Sequence, residues 1–505
     1  MQADRGFTLS HQKVALELGF SGVLAGFTEL TIMPSNAALR HIYLHARCMD
    51  IQRVLCNGQE VRFEHTDAVQ SLALSDIHGH AQLKRDLFSA TSQGAEGELR
   101  ISLPDHLRPE RVSSGTEGNA DGEEFSMMTI RIDYVLEDVH EAIKVIQPTA
   151  DAPYRVPHMY TRPLGLNSSR CWVPCLDSLW DRCTWELEYV VPRRLSVDMG
   201  DLDDETPEIY VISSGELTEH AMHPENPEKS VFYYTQQVAT SVQHVAFCAG
   251  PFVMTRLSPA GMQTCETLSF CLPEHEHELR STTQFAWQAI EYISSEYGSY
   301  PFGSFKLVFV DGTHEDCHTA STLAICSSDL LHPPSVIDQA FENRHILSHA
   351  VAFQWVGINI IQKTWADTWL IHGLSQYLAS MFLRWLLGNN EYRFRMKKDC
   401  DRLCHWDIGM PPLYQAGRDE PLDPQLLSFV NLKAPLVLYL LDRRLCKMGA
   451  SLGLGRVIPK VFLQAITGEM SNNALGTHSF LRTCKKVSSA DLRLFMDQWI
   501  NGSGC

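Results

Sequence analysis

The first half of the chain alternates. Leu30 and Ile32 are interleaved with Glu29 and Thr31, Tyr43 and His45 flank Leu44, and Ile130, Ile132 and Tyr134 are spaced by Arg131 and Asp133. A period of two sends successive side chains to opposite faces, so each run predicts a half-buried strand. Similar runs recur over 185–191 and 245–252, and turn formers punctuate the whole stretch: Asn57-Gly58, Ser114-Gly115, Asp121-Gly122 and Pro224 to Glu228. Short strands separated in this way predict a mostly antiparallel sandwich. Segments 113–124 and 201–208 hold almost no apolar side chain to bury and predict mobile loops.

Near residue 258 the period changes. Phe285, Ala286, Ala289, Ile290 and Ile293 fall at helical spacing, a strongly apolar strand follows over 305–310, and helices with apolar stripes are predicted over 341–356, 369–387 and 435–446. The pattern therefore predicts an α+β multidomain chain. An N-terminal antiparallel β domain over 1–257 is followed by a helix-rich α/β domain over 258–505. No internal repeat or heptad is present.

Composition narrows the class. A chain of 505 residues, 44% hydrophobic and 20% charged, has the make-up of an ordinary globular protein with room for several cores. No stretch of 18 uncharged apolar residues appears, and the longest candidate, 349–361, is interrupted by His349, Gln354 and Asn359, so no span is predicted. Asp4, Arg5, His11, Lys13 and Glu17 leave no apolar run for a secretory signal, and the 15 cysteines predict reduced core thiols of a cytosolic or nuclear protein.

Charge narrows it further. Against 60 acidic residues stand 42 Lys and Arg, a net −18 that repels phosphate backbones and anionic membranes. Contact with DNA, if made, must be local. Three basic segments could make it, or could contact a protein partner: Arg393, Arg395, Lys397, Lys398 and Arg402; Arg443, Arg444 and Lys447; Arg482, Lys485 and Lys486. Each sits among apolar residues at helical spacing, where the simpler reading is a solvated helix face.

One zinc-protease pattern is a decoy by context. His314-Glu315-Asp316-Cys317-His318 matches HExxH, which acts only on a helix, where imidazoles four residues apart share a face. Here it follows a predicted strand and the Asp311-Gly312 turn, among Thr313, Thr319, Ser321 and Thr322, so a polar loop is predicted. Cys400, Cys404 and His405 lack a fourth ligand and predict helix-packing thiols, and His345 with His349 and His372 is a further conceivable metal grip.

A second segment carries a more specific signal. Residues 345–357 (HILSHAVAFQWVG) and 365–373 (WADTWLIHG) retain Gln354, Trp355, Gly357, Trp365, Asp367, Trp369, Leu370 and Gly373. In these positions the chain resembles the gluzincin aminopeptidases, whose zinc helix reads HExxH-x-Gln-Trp-x-Gly. The resemblance places His349 at the first metal position, Ala350 at the general-base Glu, Phe353 at the second metal His and His372 at the ligand Glu. Residues 430–441 resemble the family's Tyr-x-Lys-Gly-Ala helix, with Asn431 at the Tyr. Residues 316–320 align with its substrate strand, with Thr319 at the Glu that captures a free amine. Catalytic zinc needs three ligands and a water, and a phenyl ring offers no lone pair. The resemblance thus implies a degenerate site with no metal and no other cofactor.

It extends along the chain through 170–187, 211–215, 245–252 and 492–499. The implied fold is a saddle-like β domain followed by a thermolysin-like domain, the first two parts of an architecture that continues into a small β domain and a helical-repeat tail. Residues 183–187, 270–273 and 327–338 look like a non-catalytic branch that serves within the general transcription factor TFIID. That branch implies a nuclear scaffold touching core-promoter DNA at the initiator during assembly of the RNA polymerase II preinitiation complex. Its implied partners are the largest TFIID subunit and a histone-fold subunit, with no membrane. The alternatives from other classes are a zinc aminopeptidase using His314, Glu315 and His318, and a dead peptidase homologue that binds peptides.

Overall fold

The computed structural model describes residues 5–69, 72, 79–93, 96–110, 125–137, 139–162, 167–195, 207–259, 265–313, 315–448 and 452–504. The segment 113–124 and most of 201–208 lie outside them. Two compact units result, Gln2–Val253 and Met254–Cys505.

The first unit is built on an eight-stranded sheet. In spatial order its strands are Glu216–Met222, Lys229–Ser241, Arg182–Pro192, Phe7–Leu18, Leu24–Pro34, Met128–Leu136, Asp50–Cys56 and Gln59–Glu60. The predicted alternation is realised in Met128–Leu136, where Met128, Ile130, Ile132, Tyr134 and Leu136 all point into the core. Asn57 and Gly58 both adopt positive φ and close the tight hairpin that pairs Cys56 with Gln59. A four-stranded sheet (Tyr210–Ser213, Phe247–Gly250, His158–Thr161, Ile143–Ile146) shares this core, with the Tyr189 and Phe247 rings 4.9 Å apart.

Two features depart from the expected pattern. Phe7–Leu18 and Arg182–Pro192 pair in parallel, with Val14 opposite Leu187, a contact between distant segments that no local period specifies. Helix α1 (His80–Gln93) interrupts the strands, and its weakly amphipathic sequence gave no periodic signal.

The second unit holds a five-stranded sheet in the order Val253–Arg256, Glu266–Cys271, Ser304–Val310, Leu323–Ser327 and Cys317–Ala320. Glu266–Cys271, Ser304–Val310 and Leu323–Ser327 run in parallel, and every residue of Ser304–Val310 is buried, as a two-sided core strand requires. Cys317–Ala320 returns antiparallel as a hairpin. The helices are α2 (Glu276–Thr283), α3 (Ala286–Glu296), α4 (Asp338–Phe353), α5 (Thr368–Leu387), α6 (Asn389–Trp406), α7 (Pro424–Lys447), α8 (Leu454–Ile466), α9 (Thr477–Ser488) and α10 (Arg493–Trp499).

Helix α7 corrects two expectations. It starts at Pro424, where Asp423 caps it by accepting from the Leu426 amide at 2.9 Å, and Pro435 lies inside it. Pro435 removes only one backbone bond, and the buried flank of Phe429, Leu432, Val437, Leu438 and Leu441 keeps the helix continuous across that gap. Among the described residues, α7 is also a helix long and apolar enough to cross a membrane by length and composition, contrary to the expectation of none. It packs inside this unit instead. Lys433 and Asp407 form a fully buried ion pair at 2.8 Å, and Gly373 of α5 lies so close to α7 that an added Cβ would sit 2.9 Å from Ala434 Cβ.

Candidate functional site

The retained frame residues work as braces. Gln354, fully buried at the end of α4, accepts from the Thr322 amide at 2.9 Å and donates to the Ala320 carbonyl at 2.8 Å. It thereby ties α4 to the turn of the 317–327 hairpin, where Thr322 has φ +58°. The Trp355 indole donates to the Gly298 carbonyl at 2.9 Å, and that of Trp369 to Thr477 Oγ1 at 3.1 Å. Asp367 accepts from Thr364 at the start of α5 and from the Thr477 amide at 2.7 Å, so one carboxylate joins two helix N-termini. These bonds explain why Trp, Asp and Gln occupy the positions without any reference to catalysis.

His349, Ala350, Phe353 and His372 form a buried cluster without an acidic side chain. Phe353 stands between the two imidazoles, its ring centroid 5.6 Å from both His349 and His372. Gly357, at φ +139°, makes room for that ring; a Cβ there would lie 2.4 Å from Phe353 Cε1. Burial, reinforced by neighbouring His372, pushes His349 down to about 3, and burial pushes His372 down to about 4 with Asn431 acting weakly the other way. Both rings are therefore neutral. Ser375 Oγ lies 3.0 Å from the His372 carbonyl, to which its hydroxyl can donate, and 3.0 Å from His349 Nε2, whose role as donor or acceptor is set by the ring's tautomer. That contact occupies His349 Nε2. Ala350 is buried beside it.

His372 Nδ1 and Asn431 Oδ1 are both buried, and the Asn431 side chain lies near enough to His372 to oppose the effect of burial. Thr319 lies in the hairpin strand opposite Ala324. His345, a turn before His349, opens instead onto a cavity of about 260 Å³ between α4, α5, α6 and α7, shared with Arg384, Tyr392, Arg395 and Asn431. Ser375 was not singled out from sequence; its spacing of three residues from His372 on one helix was the available signal.

The HExxH segment is not helical among its described residues: Glu315 and Asp316 form a bend, and Cys317 and His318 enter a strand. His314 lies outside the described residues. Burial pushes His318 down to about 4. Among the described residues, one group of three metal-type side chains converges within 4.8 Å: Glu274, His275 and Asp311, with His275 already bound to Glu278 at 2.9 Å. It includes neither His349 nor His372. Cys400 and Cys404 are exposed on α6, not packed; Leu403 is the buried residue of that helix.

The basic segments separate on inspection. Arg395 turns inward and is clamped by Glu342 at 2.7 Å and Glu391 at 2.9 Å. Arg402 pairs with Asp399 at 3.6 Å, Lys397 with Asp401 at 2.8 Å and Arg443 with Asp442 at 2.7 Å. Arg444 buries its Nε without a partner. Arg393, Lys398, Lys485 and Lys486 are exposed, and Lys398 and Lys397 flank Phe394, itself 62% exposed.

The fold is that of the two-domain M1 peptidases. The structure superimposes on leukotriene A4 hydrolase from Saccharomyces cerevisiae with a TM-score of 0.69, at 15% identity, over 99% of this chain and 68% of that one. It matches the M1 zinc metallopeptidase of Deinococcus radiodurans with a TM-score of 0.66, at 17% identity, over 99% of this chain and 95% of that one. In sequence, the chain is similar along almost its whole length to the TFIID subunit 2 proteins. It is 34% identical to that of Schizosaccharomyces pombe over 98% of this chain and 45% of the relative. It is 28% identical to that of Drosophila melanogaster over 99% and 42%. The chain thus spans less than half the length of the curated relatives it matches. No family profile matches it.

Proposed function

We propose that this chain is a non-catalytic, nuclear TFIID scaffold, contributing to core-promoter (initiator) DNA recognition and to assembly of the RNA polymerase II preinitiation complex. In this reading residues 1–257 are the aminopeptidase-like β domain and 258–505 a catalytically degenerate thermolysin-like domain. Its partners are other TFIID subunits, among them the largest and a histone-fold subunit, and promoter DNA within the complex. The observation that carries the reading is a peptidase frame, braced by Gln354, Trp355 and Asp367, whose chemical positions hold Ala350, Phe353 and a His349 already bonded to Ser375. Three ligands and a general base are what such a site needs, and those side chains supply neither. Similarity to TFIID subunit 2 at 34% identity supports the transcriptional role.

The test pairs composition with chemistry. The purified chain is expected to retain no stoichiometric zinc after dialysis, to leave aminoacyl reporters intact, and to co-purify TFIID subunits from nuclear extract as read by mass spectrometry. Zinc binding and cleavage that both vanish in His318→Ala would establish the aminopeptidase reading. Calorimetric binding of a free peptide amine that is lost in His349→Ala, with no TFIID subunit recovered, would establish the peptide-binding one.

A further inference from the structure

We propose that Cys317 and Cys326 form a reversible dithiol–disulfide site, oxidised by low-molecular-weight disulfides of the glutathione type. Register and access bring the two thiols together, whatever role the chain has in transcription. Strands Cys317–Ala320 and Leu323–Ser327 pair antiparallel with Cys317 opposite Cys326. The Ser327 amide donates to the Asp316 carbonyl at 2.9 Å, which makes 316 and 327 a hydrogen-bonded pair. The next pair, Cys317 with Cys326, is therefore of the closer, non-hydrogen-bonded kind, whose Cα atoms lie about 4.5 Å apart, within the span a disulfide bridges. The two Sγ atoms are 3.2 Å apart, so bonding requires a closure of about 1 Å.

Access differs between the two thiols. Cys326 is buried, whereas Cys317 is partly exposed at the mouth of the hairpin. The Cys317 thiolate attacks the external disulfide, forming a mixed disulfide and releasing one small thiol. Cys326 then attacks Cys317 Sγ, breaking the mixed bond and releasing the second small thiol. The protein loses two electrons and two protons; the external disulfide gains both as two thiols. Gln354 braces the turn of this hairpin onto α4, so the hairpin already holds the two sulfurs together in the reduced state.

The experiment equilibrates the whole chain in glutathione buffers of increasing oxidised fraction, quenches by alkylation and maps peptides by mass spectrometry. The expected product joins the Cys317 and Cys326 peptides with loss of two hydrogens and is reversed by dithiothreitol. Cys317→Ser should leave Cys326 unmodified in the folded chain, and Cys326→Ser should leave Cys317 as a stable glutathione adduct, with circular dichroism reporting the fold of each. Stable glutathionylation of Cys317 in the unsubstituted chain, both thiols still free at the most oxidising poise, or a bond formed only in urea would each overturn the proposal.

Discussion

At the scale of single residues, the cluster around Phe353 is defined by neighbours that suit one another. Phe353 fits because Gly357 has no Cβ, and Gly357 sits at a φ of +139° that other residues avoid. Gly357→Ala is expected to cost about 2–4 kcal/mol, from backbone strain plus overpacking against the ring. In a Phe353→Ala background the overpacking part should disappear, so a double-mutant cycle read by urea denaturation should show the double variant losing less stability than the sum of the two single variants. The histidines give a second test. Burial holds His318, His345 and His372 near 4 and His349 near 3, against the usual 6.5. Below about pH 6.5 the unfolded chain takes up protons that the folded one does not, so stability is complete above that pH and falls as the pH drops toward 4. Urea midpoints should decline across that window, and His349→Gln should flatten the decline. A slope unchanged by the substitution would mean that His349 is protonated in the folded chain.

At the scale of elements, the second unit depends on helices braced by polar groups inside its core. Lys433 of α7 is fully buried, bonded to Asp407 just beyond α6 at 2.8 and 3.0 Å. Removing one partner strands a charge, so Asp407→Asn or Lys433→Met should each destabilise by about 3–5 kcal/mol, whereas an apolar pair of similar volume should recover most of the loss. Thermal melts of the two single variants and the double variant decide it. Sequence periodicity made α3, α4 and α5 legible because each needs one apolar face over several turns. It missed the first half of α7, where Pro435 reads as a stop locally although burial of the flanks carries the helix through. It also could not give the inward turn of Arg395, which depends on Glu342 in another helix.

At the scale of the whole molecule, charge governs what this chain does alone. With a net −18, the proposed contact with duplex DNA would rest on local exposed cations such as Arg393, Lys398, Lys485 and Lys486. Affinity measured by fluorescence anisotropy should be weak and fall roughly a hundredfold between about 50 and 200 mM salt if about four phosphates are contacted. Charge reversal of those four residues should abolish it. Reversal of Arg395 should lower stability instead, because it breaks the pairs with Glu342 and Glu391.

The sequence by itself determined that position 353 carries a phenyl ring and position 350 a methyl group, and the change from a two-residue to a helical period near 258. Both are local facts: a phenyl ring is no ligand in any fold, and periodicity depends only on neighbours along the chain. The tertiary structure alone decided the parallel pairing of Phe7–Leu18 with Arg182–Pro192, the bond from His349 to Ser375 and the approach of Cys317 to Cys326. These arise when distant surfaces are buried against each other, and their free energy comes from packing that no short window of sequence contains.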